Sequence, residues 1–425
     1  MLFKRTRRGF ARALVLLLLP VLALGCLAGA GCTCQPPTNG WCGPTVSDNY
    51  IYVGTVKGKV LACDRNTGDQ DWVKTVAQAG SSGFACGRTS TASGIYGTPV
   101  LWNGRLYVGA YDGTVIWISA DGSSVSGSVF DTGKSIVGGV AIDGDTLYVG
   151  SSNGNLYALD LNAPDLSNSL KDGWPFKTGG EIWCTPVIQE GVVYVASADH
   201  CLYAIDTESG NEIWRFETEG AIMSTPLIAN GMVYIGGCDR KFYAVKAASP
   251  RERAAAAAGD APTVRESEAV FEGAKNWFWT KALAYNGQIW VGCLDKYVYV
   301  LDANDVGHVV DKVKTDGMVF SPPVTFEGKV VVGSQDGWIY LIDPDTRAFD
   351  AYAVDSKTYE PVKAPDKPQS GPAPIFAPMF ADEATSTLYF HAQGNSSDPP
   401  HVLYALRLSA GSAEVVWHQR TDNVK

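Results

Sequence analysis

Short apolar runs alternate with glycine-bearing turns along most of the chain, and the runs return at a nearly constant spacing. Tyr50-Ile51-Tyr52-Val53-Gly54 is the first full copy of one such run, and equivalents close at Gly109, Gly150, Ala196, Gly236, Gly292, Gly333 and His391. These eight copies recur about every forty residues, with insertions in some, which is room for four short strands each. A turn such as Lys57-Gly58, Asp112-Gly113, Asn153-Gly154 or Asp336-Gly337 follows the run, and glycine there supplies the positive φ of a tight hairpin. A second run comes next, typically of the form Tyr-Ala-Leu-Asp, as at Val60 to Asp64, Leu156 to Asp160 and Leu202 to Asp206. These runs are β-branched and aromatic-rich and helical spacing is nearly absent, so the chain is predicted to be all-β.

Upstream of each copy a proline followed by an apolar residue usually opens an innermost strand, at Pro44, Pro99, Pro186, Pro226, Pro323 and Pro378, with Gly139 and Ala282 in the third and sixth copies. Proline is tolerated as a first strand residue because it can lack a ladder donor there. Three residues earlier stands a large apolar side chain: Trp41, Tyr96, Ile136, Trp183, Met223, Trp279, Phe320 and Ile375. Small sheets with two apolar faces can bury those faces only against one another. Arranged radially they close a ring and leave few exposed edges. The expected fold is an eight-bladed β-propeller of four-stranded antiparallel blades, spanning residues 41–420.

Three insertions interrupt the repeat, at 77–95, 248–275 and 355–373, and are candidates for partner contacts, since loops on a rigid scaffold commonly carry recognition. The second contains Arg251-Glu252-Arg253 and five alanines, which predicts a short exterior helix ended by Gly259 and Pro262. The third is rich in Pro, Lys and Asp and reads as flexible. Trp183, Trp277 and Trp279 lie just before inner strands, where side chains can approach the axial channel and stack on a flat ligand. Blade packing explains the recurring position of Trp183 and Trp279 without a ligand, whereas Trp277 stands off that register.

Few other residues carry chemistry. Gly150-Ser151-Ser152-Asn153-Gly154 fits the nucleophile-elbow pattern, but that motif needs a strand, a turn and then a helix, and here it lies between two strands. His391 and His401 flank a turn in the last copy, and no third ligand in a matching motif joins them. No catalytic residue and no metal site is assigned.

The ends and the charge bear on location. Lys4, Arg5, Arg7, Arg8 and Arg12 precede an apolar run from Ala13 to Leu24, which reads as an export signal over residues 1–25. The run contains Pro20 and falls short of the roughly 20 residues of a spanning helix. Gly25-Cys26 after Leu22-Ala23-Leu24 marks Cys26 as the expected lipidation site, with Cys32 as second choice, followed by a Cys/Pro/Gly tether to residue 40. The chain has 34 Lys+Arg against 44 Asp+Glu, a formal net charge of −10, and loss of the basic signal makes the remainder more acidic still. Such a surface repels nucleic acid, and membrane attachment would rest on acyl chains. Ten cysteines are ordinary in an exported protein and allow disulfides, which sequence cannot pair. No Cys-x-x-Cys occurs.

Two stretches, Ala62 to Trp72 and Ala204 to Trp214, share the form Ala-x-Asp-x-x-(Thr/Ser)-Gly-x-x-x-Trp, with Asp64, Gly68, Trp72, Asp206, Gly210 and Trp214 at the motif positions. This resembles the repeat of pyrroloquinoline-quinone (PQQ) enzymes and their non-enzymatic relatives, and it extends over almost the whole chain, with Trp174 and Trp417 in looser copies. In that motif the carboxylate can accept turn amides, glycine takes the left-handed position, and the tryptophan can dock on the next blade. Two groups of relatives imply different functions. The lipoprotein of the outer-membrane β-barrel assembly machinery is similar in length and lipid attachment, and implies a non-enzymatic scaffold holding a protein partner through propeller loops, without a cofactor. The quinone-dependent dehydrogenases imply PQQ with calcium, adjacent cysteines and a catalytic aspartate; no Cys-Cys pair stands in this chain. The scaffold is the leading expectation; a quinone-binding dehydrogenase and a sugar- or peptide-sensing module are the alternatives.

Overall fold

Each of the eight repeats forms its own antiparallel sheet in the computed structural model, which describes residues 42–76, 94–366, 368, 371–393, 401–409 and 411–421. The export signal, the tether with Cys26 and Cys32, Trp41 and most of the first insertion lie outside the described residues. Strands follow chain order from the axis outwards, six sheets having four strands and two having five. In blade 4 the strands are Val187–Gln189, Val192–Ala196, Cys201–Asp206 and Glu212–Glu217. Every residue of the two middle strands is buried, because both faces of the sheet press on neighbouring blades. That is why the middle strands read as continuous apolar runs and not as alternating ones.

The small residue that closes each second strand is explained by its neighbour. A Cβ built on Gly150 would lie 2.2 Å from Ile182, and the same crowding sets Gly54 against Ile95, Gly109 against Ile136, Gly236 against Phe278, Gly292 against Val319 and Gly333 against Ile375. These wedge residues belong to the segment leading into the next blade and are at most 1% exposed. Ile136 and Ile375 are therefore wedges, which corrects the register read from sequence in the third and eighth copies. There the innermost strands begin at Ala141 and Phe380, so the positions that open them are Val140 and Met379 and not Gly139 and Pro378.

Outer strands dock on the following blade. Ala62 pairs with Trp72, Ala204 with Trp214 and Ala405 with Trp417, and in each case the register shifts by a bulge immediately after the alanine. The small residue makes room for the indole opposite. Trp72 Nε1 donates to the Ala120 carbonyl of blade 2 (3.2 Å), and a Cβ on Gly122 would lie 2.5 Å from the Trp72 ring. Trp417 repeats this across the closure of the ring, donating to the Arg65 carbonyl (3.0 Å) and lying over Gly68. An Arg65–Asp382 ion pair spans the same seam. Blades 1 and 8 are each built from consecutive strands, so side-chain contacts, not an exchanged strand, hold the described seam together.

Within the second strand of blade 8, Thr387–Gln393, His391 fills the position that glycine or alanine holds elsewhere. It is 4% exposed, its Nε2 lies 2.8 Å from Thr421 Oγ1, and its ring sits 5.6 Å from that of His401. Burial, reinforced by His401, pulls its pKa down to about 3.

The tightest turns join first and second strands, where Asn103-Gly104, Glu190-Gly191, Asn230-Gly231, Asn286-Gly287 and Glu327-Gly328 all have positive φ at both residues. That is the two-residue hairpin pattern. The second insertion supplies the helix Pro250–Ala257, with a Ser249/Glu252 capping box, and the strand Thr263–Arg265, which adds in parallel to the edge of blade 4. Both clothe the preceding blade: Arg253 Nε donates to Asp206 Oδ2 (2.6 Å), and Arg265 lies 5.1 Å over Trp214. The third insertion, expected to be flexible, instead begins as a hairpin. Asp355 Oδ1 accepts from the N–H groups of Lys357 (2.9 Å) and Thr358 (3.0 Å), and Pro361–Lys363 pairs with Phe349–Val354 as a fifth strand of blade 7. The six described cysteines are free thiols, so none of the disulfides that export allows joins any two of them.

Gly150→Ala should destabilise the fold by ~1–3 kcal/mol through overpacking on Ile182, and Trp417→Ala by ~3–5 kcal/mol through loss of the seam; urea titration checks both. His391 is neutral in the fold down to a pKa of about 3, while the unfolded chain takes up the proton near 6.5. Its contribution is therefore intact above that unfolded pKa and declines as pH falls towards the folded one, by up to about 1.4 kcal/mol per pH unit. His391→Gln should flatten that part of the stability profile when denaturant midpoints are compared between pH 7 and 4.

Candidate functional site

The face of the ring that carries the second-to-third-strand turns also carries the connections between blades, and each turn is tied to the segment entering its own blade. N–H groups of Ala198, Cys238, Leu294 and Gln335 donate to the carbonyls of Glu181 (2.8 Å), Ala221 (2.9 Å), Trp277 (3.0 Å) and Met318 (2.9 Å). A carboxylate strengthens each tie. Asp199, Asp239, Asp295 and Asp336 each accept from the tyrosine four residues on, at 2.8, 2.6, 2.7 and 2.9 Å, and from a backbone N–H of the incoming segment. Burial and the facing carboxylates hold the phenols of Tyr203, Tyr243 and Tyr299 well above the usual range. The spacing Asp-x-x-x-Tyr was visible in four copies, and its role was missed because it joins segments far apart in sequence.

The residue after this aspartate, or after its counterparts Lys57 in blade 1 and Asn153 in blade 3, has a positive φ. Blades 1, 2, 3 and 7 use Gly58, Gly113, Gly154 and Gly337, whereas blades 4, 5 and 6 use His200 (φ 77), Arg240 (φ 70) and Lys296 (φ 72). Left-handed backbone costs a side-chain-bearing residue on the order of 1 kcal/mol. None of the three side chains has a hydrogen-bond or ion-pair partner among the described residues, and Arg240 and Lys296 are exposed. The aspartates beside them are engaged with tyrosines, so three adjacent blades offer basic groups on one face.

At the centre lies an axial well of about 130 Å³. One residue from each of blades 2 to 8 lines it, namely Tyr96, Val137, Trp183, Met223, Trp279, Phe320 and Phe376, each directly after a wedge residue. Two residues further on come Thr98, Gly139, Thr185, Thr225, Lys281, Pro322 and Pro378. Of the tryptophans singled out from sequence, Trp183 and Trp279 meet in the well, ring centroids 6.4 Å apart at 56°, while Trp277 is half-buried beside Leu294 and is not part of the lining. Val137, Phe376 and Lys281 were missed. The signal that finds them is the buried wedge immediately before the channel residue, once the copies are aligned on it. Lys281 is reached by solvent, yet the protein walls around it lower its pKa.

The repeat-motif residues lie on the opposite turns and serve the fold. Asp64 Oδ1 accepts from the N–H groups of Asn66 (2.8 Å) and Thr67 (2.9 Å), Asp206 Oδ1 from Ser209 (2.8 Å), and Gly68 and Gly210 take φ of 75° and 71°. Burial pushes the Asp206 carboxyl up, but Ser209 and Arg253 outweigh it and hold it below its ordinary value. Trp72 docks on blade 2, whereas Trp214 is covered by Arg265 of the insertion. His391 and His401 sit side by side in the interior, and no group of three or more metal-ligating side chains occurs among the described residues. A quinone held through calcium needs carboxylate ligands at the axis, and the described lining of the well contains none, so these residues do not fit that pair. A larger cavity of about 610 Å³ lies between blades 2 and 3, but its Arg105 already stacks on Trp117 at 4.2 Å and its Asp165 caps Ser167.

Comparison with known proteins agrees with this architecture. A 173-residue stretch is 28% identical to the serine/threonine-protein kinase AfsK of Streptomyces griseus, covering 40% of this chain and only 18% of the length of that protein. The fold is shared with the crystal structure of the computationally designed Ika8 protein, at a TM-score of 0.60 and 14% identity over 84% of this chain and 95% of that one. It is shared as well with BamB from Moraxella catarrhalis, at a TM-score of 0.58 and 15% identity over 82% of this chain and 90% of that one. The sequence profile of the family described as outer membrane protein assembly factor BamB matches residues 37–163 and 167–281, more than half of the chain, and the chain belongs to that family.

Proposed function

We propose that the chain is a non-enzymatic scaffold of the cell envelope, exported and anchored by lipid at Cys26, which holds a protein partner on the face formed by the inter-blade connections and the second-to-third-strand turns. The observation that carries this reading is the run of His200, Arg240 and Lys296 in left-handed turn positions that glycine fills in four other blades. The fold gains nothing from side chains there, so the strain stored in three adjacent blades supports a role in recognition. Unpaired basic groups on one face of an otherwise acidic chain suit a partner that presents acidic side chains, since complementary charge speeds encounter and fixes orientation. Family membership supports a partner among the proteins that assemble outer-membrane β-barrels.

The triple variant His200→Gly, Arg240→Gly, Lys296→Gly relieves the turn strain, so its melting temperature should stay level or rise, while its capture of a β-barrel assembly protein from detergent-solubilised membranes should fall by about tenfold or more. Full capture by a folded triple variant would refute this face as the binding surface. Cys26→Ser should move the protein from the membrane fraction to the soluble one, and Cys32→Ser should not.

A further inference from the structure

We infer that the outer strand of blade 6, Val309–Lys314, is held to blade 7 by an electrostatic latch that ionic strength loosens while the rest of the ring stays closed. The latch lies on the turns opposite the proposed partner face, so it and the scaffold reading can fail separately.

Elsewhere an indole anchors the outer strand. Trp72 and Trp417 dock over Gly122 and Gly68 of the following blade, each opposite an alanine, and Trp174 lies against Gly210. Register puts Val300, Asp311 and Arg347 at the three corresponding positions of blades 6 and 7. Asp311 pairs with Val300, and the bulge follows Val300 as it follows Ala62 opposite Trp72. Asp343 Oδ1 accepts from the N–H groups of Asp345 (3.0 Å) and Thr346 (2.8 Å), as Asp64 does from Asn66 and Thr67. Arg347 then stands where Gly68 does and keeps the left-handed backbone of that glycine, with φ 63 against 75. All three positions change together, and the direction of reach is reversed. The long side chain now comes from blade 7: Arg347 Cζ lies 4.9 Å over the Trp290 ring, Nη2 donates to Gln288 Oε1 (3.2 Å), and Nε stands 3.8 Å from Asp311 Oδ2.

This contact holds the strand less firmly than an indole does. Trp72 and Trp417 are at most 9% exposed, whereas the Asp311 side chain is 49% exposed and Val309, Val310 and Lys312 beside it are exposed too. The ion pair is too long for a hydrogen bond, and Arg347 Nε and Nη1 are buried without a hydrogen-bond partner among the described residues. Unpaired buried donors and a left-handed arginine both work against the closed contact. In its favour stand the cation–π contact with Trp290 and the attraction to Asp311, and the latter crosses a solvated rim where salt screens it. Burial of an indole has no such dependence. The interior of the seam does not rely on the latch, because Trp290, Val300, Val319, Val330 and Tyr340 belong to one buried cluster shared by the two blades. Release is therefore local, a freeing of the rim strand and not an opening of the ring.

Hydrogen exchange of the full chain, followed peptide by peptide at about 20 mM and about 500 mM NaCl, tests the latch. The hydrogen-bonded amides of Val309–Lys314 are expected to exchange about two- to fivefold faster at the higher salt, and those of Gln70–Thr75, anchored by Trp72, to keep their rates. Asp311→Asn keeps the shape and removes the charge, so it should show the faster exchange already at low salt and lose the salt response. The triple variant Val300→Ala, Asp311→Trp, Arg347→Gly rebuilds the indole dock and should slow exchange of this strand at both salt concentrations. Salt-independent exchange of Val309–Lys314 in the unaltered chain, or an undiminished salt response in Asp311→Asn, would overturn the latch whether or not the triple variant folds.

Discussion

The rest of the structure depends on the contact between the glycine that closes one blade's second strand and the buried side chain that leads into the next. Ile95, Ile136, Ile182, Phe278, Val319 and Ile375 each occupy the space that a Cβ on the facing glycine would need. Neighbouring sheets thereby approach closely enough near the axis for both faces of every blade to be buried, and no blade has a core of its own. The outer contacts follow from the same spacing. Tryptophan reaches across where the gap widens, and an alanine and a bulge opposite it let the outer strand turn towards the next blade. At the seam between blades 8 and 1 the pattern is repeated by Trp417, Gly68, Arg65 and Asp382, so the ring closes with the contacts that build it elsewhere.

A second layer of ties fixes the recognition face. The carboxylates of Asp199, Asp239, Asp295 and Asp336 are engaged by tyrosines and backbone N–H groups, which ties each turn to the segment entering its blade and makes it stiff. Stiff turns present the neighbouring basic residues in fixed positions, and a fixed display loses little entropy on binding. The axial well gains from the same rigidity, since its lining is set by wedge residues that cannot move without opening two blades.

Middle strands and blade count were legible because their signal is dense: continuous apolar runs, each closed by a small residue and followed by a turn. The innermost strands are only three residues long in seven blades, and there a single ambiguous residue shifts the reading. Consecutive Gly138-Gly139 in one copy and Pro378 in another displaced it by one, which put the wedges Ile136 and Ile375 at the position that Trp183 and Trp279 hold in their copies. Lys281 stayed hidden for a related reason, since nothing near it in sequence distinguishes a channel-facing lysine from a solvated one. Trp277 attracted notice as a tryptophan off register, yet its backbone carbonyl, tied to Leu294, is what the fold uses. The third insertion looked unstructured by composition, but Asp355 repeats the turn chemistry of Asp64 and Asp206 and starts a hairpin that composition alone does not reveal.

The thiols described above bear on where such a ring can be assembled. Burial pushes Cys42, Cys63 and Cys184 up to about 12, which keeps the sulfur protonated and poorly nucleophilic at any physiological pH. Native packing therefore shields these side chains from oxidants, glutathione and alkylating agents alike, and they become reactive only when neighbouring blades separate. The described ring gains no stability from cross-links between these six thiols, so their oxidation is not needed to hold it together, and each buried sulfur acts as a built-in reporter of local opening.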